Sequence, residues 1–204
     1  MFRNNLAGAY ESIGRIGEAI ELYQQVLTNA ERVLGPDHPN VLAARNNLAV
    51  AYHKVGRLNE AITLYERNVR DRERIFGSEH PSALNSRSNL AGAYESVGRL
   101  TEAITLHENV LRIRERVLGP DHPDTLTSRN NLAGAYKTVG RLTEAITLHE
   151  NVLRIRERVL GPDHPDTLTS RNNLAGAYES VGRLTEAITL HENVLRIRER
   201  VLGP

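Results

Sequence analysis

Apolar positions along the chain follow two alternating patterns. From Pro123 onward, Leu126, Leu132, Ala133, Tyr136 and Val139 recur at spacings that keep one side of a helix apolar. Pro123 suits the first turn, where a missing N–H costs nothing. Thr127, Asn130, Asn131, Gly134, Lys137 and Thr138 fall on the opposite side at about 100° per residue. Gly140 ends this segment in the manner of a left-handed C-terminal cap. A second segment runs from Leu142 to Leu160, where Ala145, Ile146, Leu148, Val152, Leu153, Ile155 and Val159 span half of the circumference. So wide an arc predicts a helix covered twice, by its own partner and by the next unit. Gly161 and Pro162 end it, and the turn Asp163, His164, Pro165 opens the next unit.

The pair of patterns returns with a period of 42. Leu6, Leu48, Leu90, Leu132 and Leu174 form one column; Tyr10, Tyr52, Tyr94, Tyr136 and Tyr178 form another; Gly14, Gly56, Gly98, Gly140 and Gly182 form a third. A period of this size predicts an all-α fold, an α-solenoid of antiparallel helix pairs, because no pair buries its apolar face alone. The expected organisation is a single repeat array over 1–204, with units 37–78, 79–120, 121–162 and 163–204 after a truncated first unit 1–36. The last two units differ only at Lys137 against Glu179 and Thr138 against Ser180. Their identity reports recent duplication, so it carries no weight as evidence of function.

Composition narrows the chemistry. With 26 basic and 25 acidic residues, the net charge of +1 offers no sequence-wide field for nucleic acid or an anionic membrane. The absence of cysteine excludes disulfides, thiol catalysis and thiolate metal sites. The start MFRNNLAGAY lacks a charged segment followed by an apolar one, and no apolar run reaches the length of a membrane span. A cytoplasmic location is the expectation. No GxxxxGK, GxGxxG or GxSxG motif occurs, so neither a catalytic residue nor a cofactor is expected.

Histidine invites a metal reading, which geometry opposes. Helices stack about 8–10 Å apart, too far for equivalent histidines to share a zinc ion whose ligands lie about 2.0–2.1 Å away. In HENVL, Leu153 stands where a zinc-protease motif needs its second histidine. His107, His149 and His191 share a column with Tyr23 and Tyr65, which indicates packing. His38, His80, His122 and His164 are expected to close the turns between units, with Asp121 and its copies accepting backbone N–H groups. Glu150 and Arg154 read as a surface pair. Arg129 and Arg156 fall within apolar arcs, where each must snorkel or find a carboxylate.

The run NLAGAYKTVGRLTEAITL resembles a tetratricopeptide repeat. Leu132, Ala133, Tyr136, Gly140, Leu142, Glu144 and Ala145 fall where that family places its large, small, aromatic, glycine and alanine signature residues, and Tyr23 and Tyr65 fill its second aromatic position. The period exceeds the usual 34 residues by 8, the proline that ends the second helix is missing, and Arg129 stands where tryptophan is common. The longer unit, with GPDHP and LRIRERVLGP, is more similar to the extended repeats of kinesin light chains and of bacterial proteins that join such repeats to nucleotide-binding regulatory modules.

This resemblance implies a right-handed superhelix in which the polar side of each first helix lines a concave groove facing a bound peptide. There Asn47, Asn89, Asn131 and Asn173, with Asn5 before them, would form a ladder of amides, each offering a donor and an acceptor to an extended backbone. Asn46, Asn130, Asn172, Thr127, Gly134 and Lys137 lie beside it. Gly8, Gly92, Gly134 and Gly176 would leave shallow places, although Val50 breaks that column. The family's clamp for a C-terminal carboxylate needs lysine and arginine along this face; in unit 121–162 those places hold Thr127, Asn130, Asn131 and Gly134, with only Lys137 basic nearby. The expected function is a non-enzymatic scaffold for a protein or peptide, without nucleic-acid, membrane or metal partners. The alternative is a structural or regulatory spacer, a fragment of a larger signalling protein that self-associates head to tail through uncapped ends.

Overall fold

The structure is a computed structural model that describes residues 2–202. Among the described residues there are ten helices and no strand: α1 (Phe2–Ser12), α2 (Ile16–Leu34), α3 (Pro39–Lys54), α4 (Leu58–Phe76), α5 (Pro81–Ser96), α6 (Leu100–Leu118), α7 (Pro123–Thr138), α8 (Leu142–Leu160), α9 (Pro165–Ser180) and α10 (Leu184–Leu202). The fold is an all-α solenoid of antiparallel helix pairs, as the period implies. The chain divides into two compact units whose boundary falls inside α6, after Leu106. Within each unit, consecutive helices pack on one another.

The local signals act as their chemistry requires. Pro123 opens α7 and His122 caps it, its Nδ1 accepting the Asp124 N–H at 3.1 Å. The same cap recurs at His38, His80 and His164. This corrects the expected role of aspartate: Asp121 stands one residue outside the cap, and its carboxylate pairs with Arg158 of α8 instead. Asp37 and Asp163 pair likewise with Arg74 and Arg200. At the other end of α7, Gly140 adopts φ +79° and returns its N–H to Lys137 O at 3.1 Å, while Arg141 N–H reaches Tyr136 O at 2.9 Å. Glycine tolerates this left-handed backbone, so the helix stops where a side chain would be strained.

The reversal at Gly140 also positions a staple. Arg141 lies over the Tyr136 ring at 3.7 Å and pairs with Glu144 in the first turn of α8. Its copies Arg15, Arg57, Arg99 and Arg183 do the same with Tyr10, Tyr52, Tyr94 and Tyr178. The cation gains from the ring face and the carboxylate from the helix N-terminus. The bond to Arg141 holds the Glu144 carboxyl below the usual carboxylate range.

The core of the first unit joins Tyr23, Val41, Leu48, Tyr52, Tyr65, Leu90 and Tyr94, with Ala19, Ala49, Ala61 and Ala91 letting the helices approach. In the second unit Ile146 and Leu153 of α8 meet Leu174, Ala177 and Tyr178 of α9. Each such aliphatic side chain contributes about 1.5–3 kcal/mol on burial. Val139 and Val159 are exposed, against their assignment to apolar arcs, because one lies at the C-cap of α7 and the other in the last turn of α8.

The buried arginines resolve into two kinds. Arg129 finds a carboxylate, bonding Glu115 Oε1 at 2.8 Å and the Pro120 carbonyl at 3.1 Å. Its copies Arg45, Arg87 and Arg171 pair with Glu31, Glu73 and Glu157. This column, where tryptophan is common in the resembling family, therefore ties a first helix to the preceding second helix by charge. Arg156 instead bonds the Asp166 carbonyl at 3.0 Å and Ser170 Oγ at 2.9 Å. Glu150 does not act as a surface partner of Arg154; it accepts the Tyr178 hydroxyl at 2.8 Å.

Candidate peptide-binding groove

The polar sides of the first helices differ between the two units. In the first unit, Asn47 Nδ2 donates to Asn4 Oδ1 at 3.1 Å and Asn89 Nδ2 donates to Asn46 Oδ1 at 3.0 Å. Each pair is 43 residues apart, one more than the period, so adjacent first helices are staggered by one residue. The same offset brings Lys54 to Glu11 and His53 to Ser96. The amides thus bind one another across helices, and each keeps a second donor or lone pair for a ligand.

In the second unit a groove of about 370 Å³ is lined by Asn130, Gly134, Lys137, His149, Asn172, Asn173 and Gly176. Six of these lie on the first-helix polar face read from the sequence. Thr127 and Asn131 are exposed on α7 outside this lining, and the Thr127 hydroxyl bonds the Pro123 carbonyl. Lys137 Nζ crosses to the Gly176 carbonyl at 3.0 Å. A Cβ at Gly176 would stand 3.7 Å from that ammonium, while one at Gly134 would meet nothing within 4 Å. Helix crowding therefore does not explain Gly134.

His149 is the lining residue that the sequence reading assigned to packing alone. It is buried, yet its Nδ1 lies 3.2 Å from Asn130 Oδ1 at the floor of the groove. Burial, reinforced by the Lys137 charge, pushes its pKa down to about 4. The imidazole is neutral at pH 7, so it offers one donor and one acceptor. Its column held the signal: tyrosines at Tyr23 and Tyr65 are also apolar bodies with polar tips, and Tyr23 sends its hydroxyl to Glu11.

The groove can match hydrogen-bonding groups of both kinds, with one ammonium beside them. Among the described residues no group of three or more His, Asp or Glu side chains could hold a metal ion. No described helix is long and apolar enough to cross a membrane.

Helix pairs repeated every 42 residues, each with a polar first-helix face and a Tyr–Arg–Glu staple, define a helical-repeat protein. The tetratricopeptide repeat family matches residues 1–68, 46–100, 82–141 and 130–200, and the chain belongs to that family. It is similar to nearly identical TPR-like repeats of the kinesin light chain kind from Podosopora anserina, with 38% identity over 97% of this chain and 94% of that one and a TM-score of 0.83. A variant of those repeats gives 37% identity, coverage of 99% and 95%, and a TM-score of 0.87. BtubC (BKLC) from P. vanneervenii shares the fold at 23% identity, with a TM-score of 0.80 over 98% of this chain and 79% of that one. Comparison with curated proteins returns no match.

Proposed function

We propose that the chain is a non-enzymatic scaffold that binds an extended peptide or a partner's helix along the polar sides of its first helices. Tetratricopeptide repeats typically mediate protein–protein interactions. The observation that carries the reading is the groove around Asn130, Lys137, His149, Asn172 and Asn173. Its polar groups come from α7, α8 and α9, so a chain lying there would touch two successive helix pairs. Asn173 is exposed and can hold a peptide backbone through both halves of its amide. Gly134 gives that backbone room to approach. Asn131, Thr127 and the remaining amide groups of Asn46, Asn47 and Asn89 extend the track. Affinity would come from apolar anchors of the ligand, with the amides fixing register.

A peptide-display selection against the intact chain tests this reading. Its counter-screen is a variant carrying Asn172→Ala, Asn173→Ala and Lys137→Glu, with helicity shown to be unchanged. Peptides enriched on the parent and lost on the variant support the groove. Enrichment that survives the triple change sinks it.

A further inference from the structure

At the column of His149, two copies of the ring meet a carboxylate of the preceding first helix. Tyr23 donates its hydroxyl to Glu11 Oε2 at 3.1 Å, and His191 Nε2 lies 3.3 Å from Glu179 Oε1. In the unit 37–78 the pair is uncharged, Tyr65 edge-on to His53 with ring centroids 6.4 Å apart. Each pair joins residues 12 apart, and at that separation His149 has Lys137, which lines the same groove. The exchange of Glu179 for Lys137 is one of only two differences between units 121–162 and 163–204. An ammonium therefore stands where the neighbouring copy has a carboxylate. Its charge finds no acid in the lining: Lys137 Nζ turns to the Gly176 carbonyl at 3.0 Å, and the other lining residues are Asn, Gly and His.

We infer that the groove takes a carboxylate from its ligand, an Asp or Glu side chain seated between Lys137 and His149, and that a proton enters the imidazole with it. The inference rests on the peptide-binding reading of this groove and names the group that the site selects. Lysine has three donors, so those that Gly176 does not use are left for the carboxylate, in charge-assisted bonds. The helices α7 and α9 pack on α8. Lys137 is the charged group that α7 turns toward His149, and α9 brings Asn172, Asn173 and Gly176 to the lining, none of which titrates. Without a ligand, burial and Lys137 disfavour the imidazolium; a carboxylate offsets that charge and favours it. Binding then takes up a proton, so affinity rises as pH falls. If bound His149 regains its free value of about 6.5, binding tightens about twentyfold between about pH 7 and about pH 5.

Histidine NMR tests the site, with the His149 resonance assigned by its loss in His149→Gln. The probe is N-acetylglutamate N-methylamide; its glutamine counterpart and inorganic phosphate are the controls. The carboxylate probe should raise the His149 titration midpoint from about 4 toward about 6.5 and saturate, while the amide leaves it in place. Lys137 is exposed, so Lys137→Glu keeps the parent fold. That variant should raise the midpoint with no probe present, as a built-in carboxylate, and abolish the response to the probe. A midpoint that the carboxylate does not move overturns the inference, as does an equal rise with the amide or with phosphate. So does a Lys137→Glu variant whose His149 titrates as in the parent. Because the probe is small, the result separates from the display selection. A raised midpoint with no enriched peptide sinks the peptide reading and keeps the carboxylate site; enriched peptides with an unmoved midpoint do the reverse.

Discussion

The same nineteen residues, LTEAITLHENVLRIRERVL, form a covered helix in α8 and a half-bare one in α10. Helix formation is common to both, with bounds set by the glycine turn and Glu144 or Glu186 in the first turn. Burial is not. In a repeat array the apolar arc of a second helix has two tenants, and the second belongs to the next unit, so identical sequence yields different stability contributions at different places.

Substitutions can break this comparison or sharpen it, beginning with the largest effect. Leu153→Ala should cost about 2–4 kcal/mol in urea unfolding followed by circular dichroism, whereas Leu195→Ala should stay within about 0.5 kcal/mol. Equal losses would mean that the two faces are not differently covered. The histidines of the same two helices come next. His149 has its folded pKa lowered to about 4, below the free value of about 6.5, so between those values the unfolded chain binds more protons. Stability therefore rises with pH across that window and is lost as pH falls through it. His149→Gln should flatten this limb by about 2 kcal/mol after solvent screening, with His191→Gln of α10 as the exposed control. An unchanged acid limb in His149→Gln would contradict the burial argument.

Smaller effects compare copies of one position. The hydroxyls of Thr125 and Thr167 are buried with no hydrogen-bond partner, and Val41 and Ala83 occupy the same column. Thr125→Val and Thr167→Val should each stabilise the fold by about 1 kcal/mol in thermal or urea unfolding. A loss would show that the hydroxyls have partners. Gly134→Ala should stabilise by about 0.5–1 kcal/mol, since the added methyl meets open space in a helix interior. If the groove binds peptide, the same methyl should weaken enriched peptides in a fluorescence titration; a stabilised variant with unchanged affinity would separate the glycine from the ligand.

Helix bounds were legible because they rest on local chemistry. Pro123, Gly140 and Gly161 act through their own backbone, and the helices start and stop beside them. The polar side of α7 was legible from periodicity for the same reason. The bonds made by that side were not, because the one-residue stagger that joins Asn47 to Asn4 and Asn89 to Asn46 is a property of packing between helices. Periodicity could say that Arg129 and Arg156 lie within apolar arcs, but it could not assign one to Glu115 and the other to Ser170. His149 shows the limit from the other direction. Its column correctly predicted burial for His107 and His149 but not for His191, which is exposed, while the approach of His149 to Asn130 depends on how α8 meets α7.

The stagger has a kinetic consequence. The bonds that join successive first helices in the first unit span 43 residues, and those that join a tyrosine to the preceding second helix span 28. Such contacts close small loops, and loop-closure entropy rises only slowly with length. Contact order stays low however many copies are added, so any helix pair can serve as the nucleus and its neighbours can zip on from either side. Lengthening the array by duplication, as the last two units record, therefore adds surface without making the chain a slower folder.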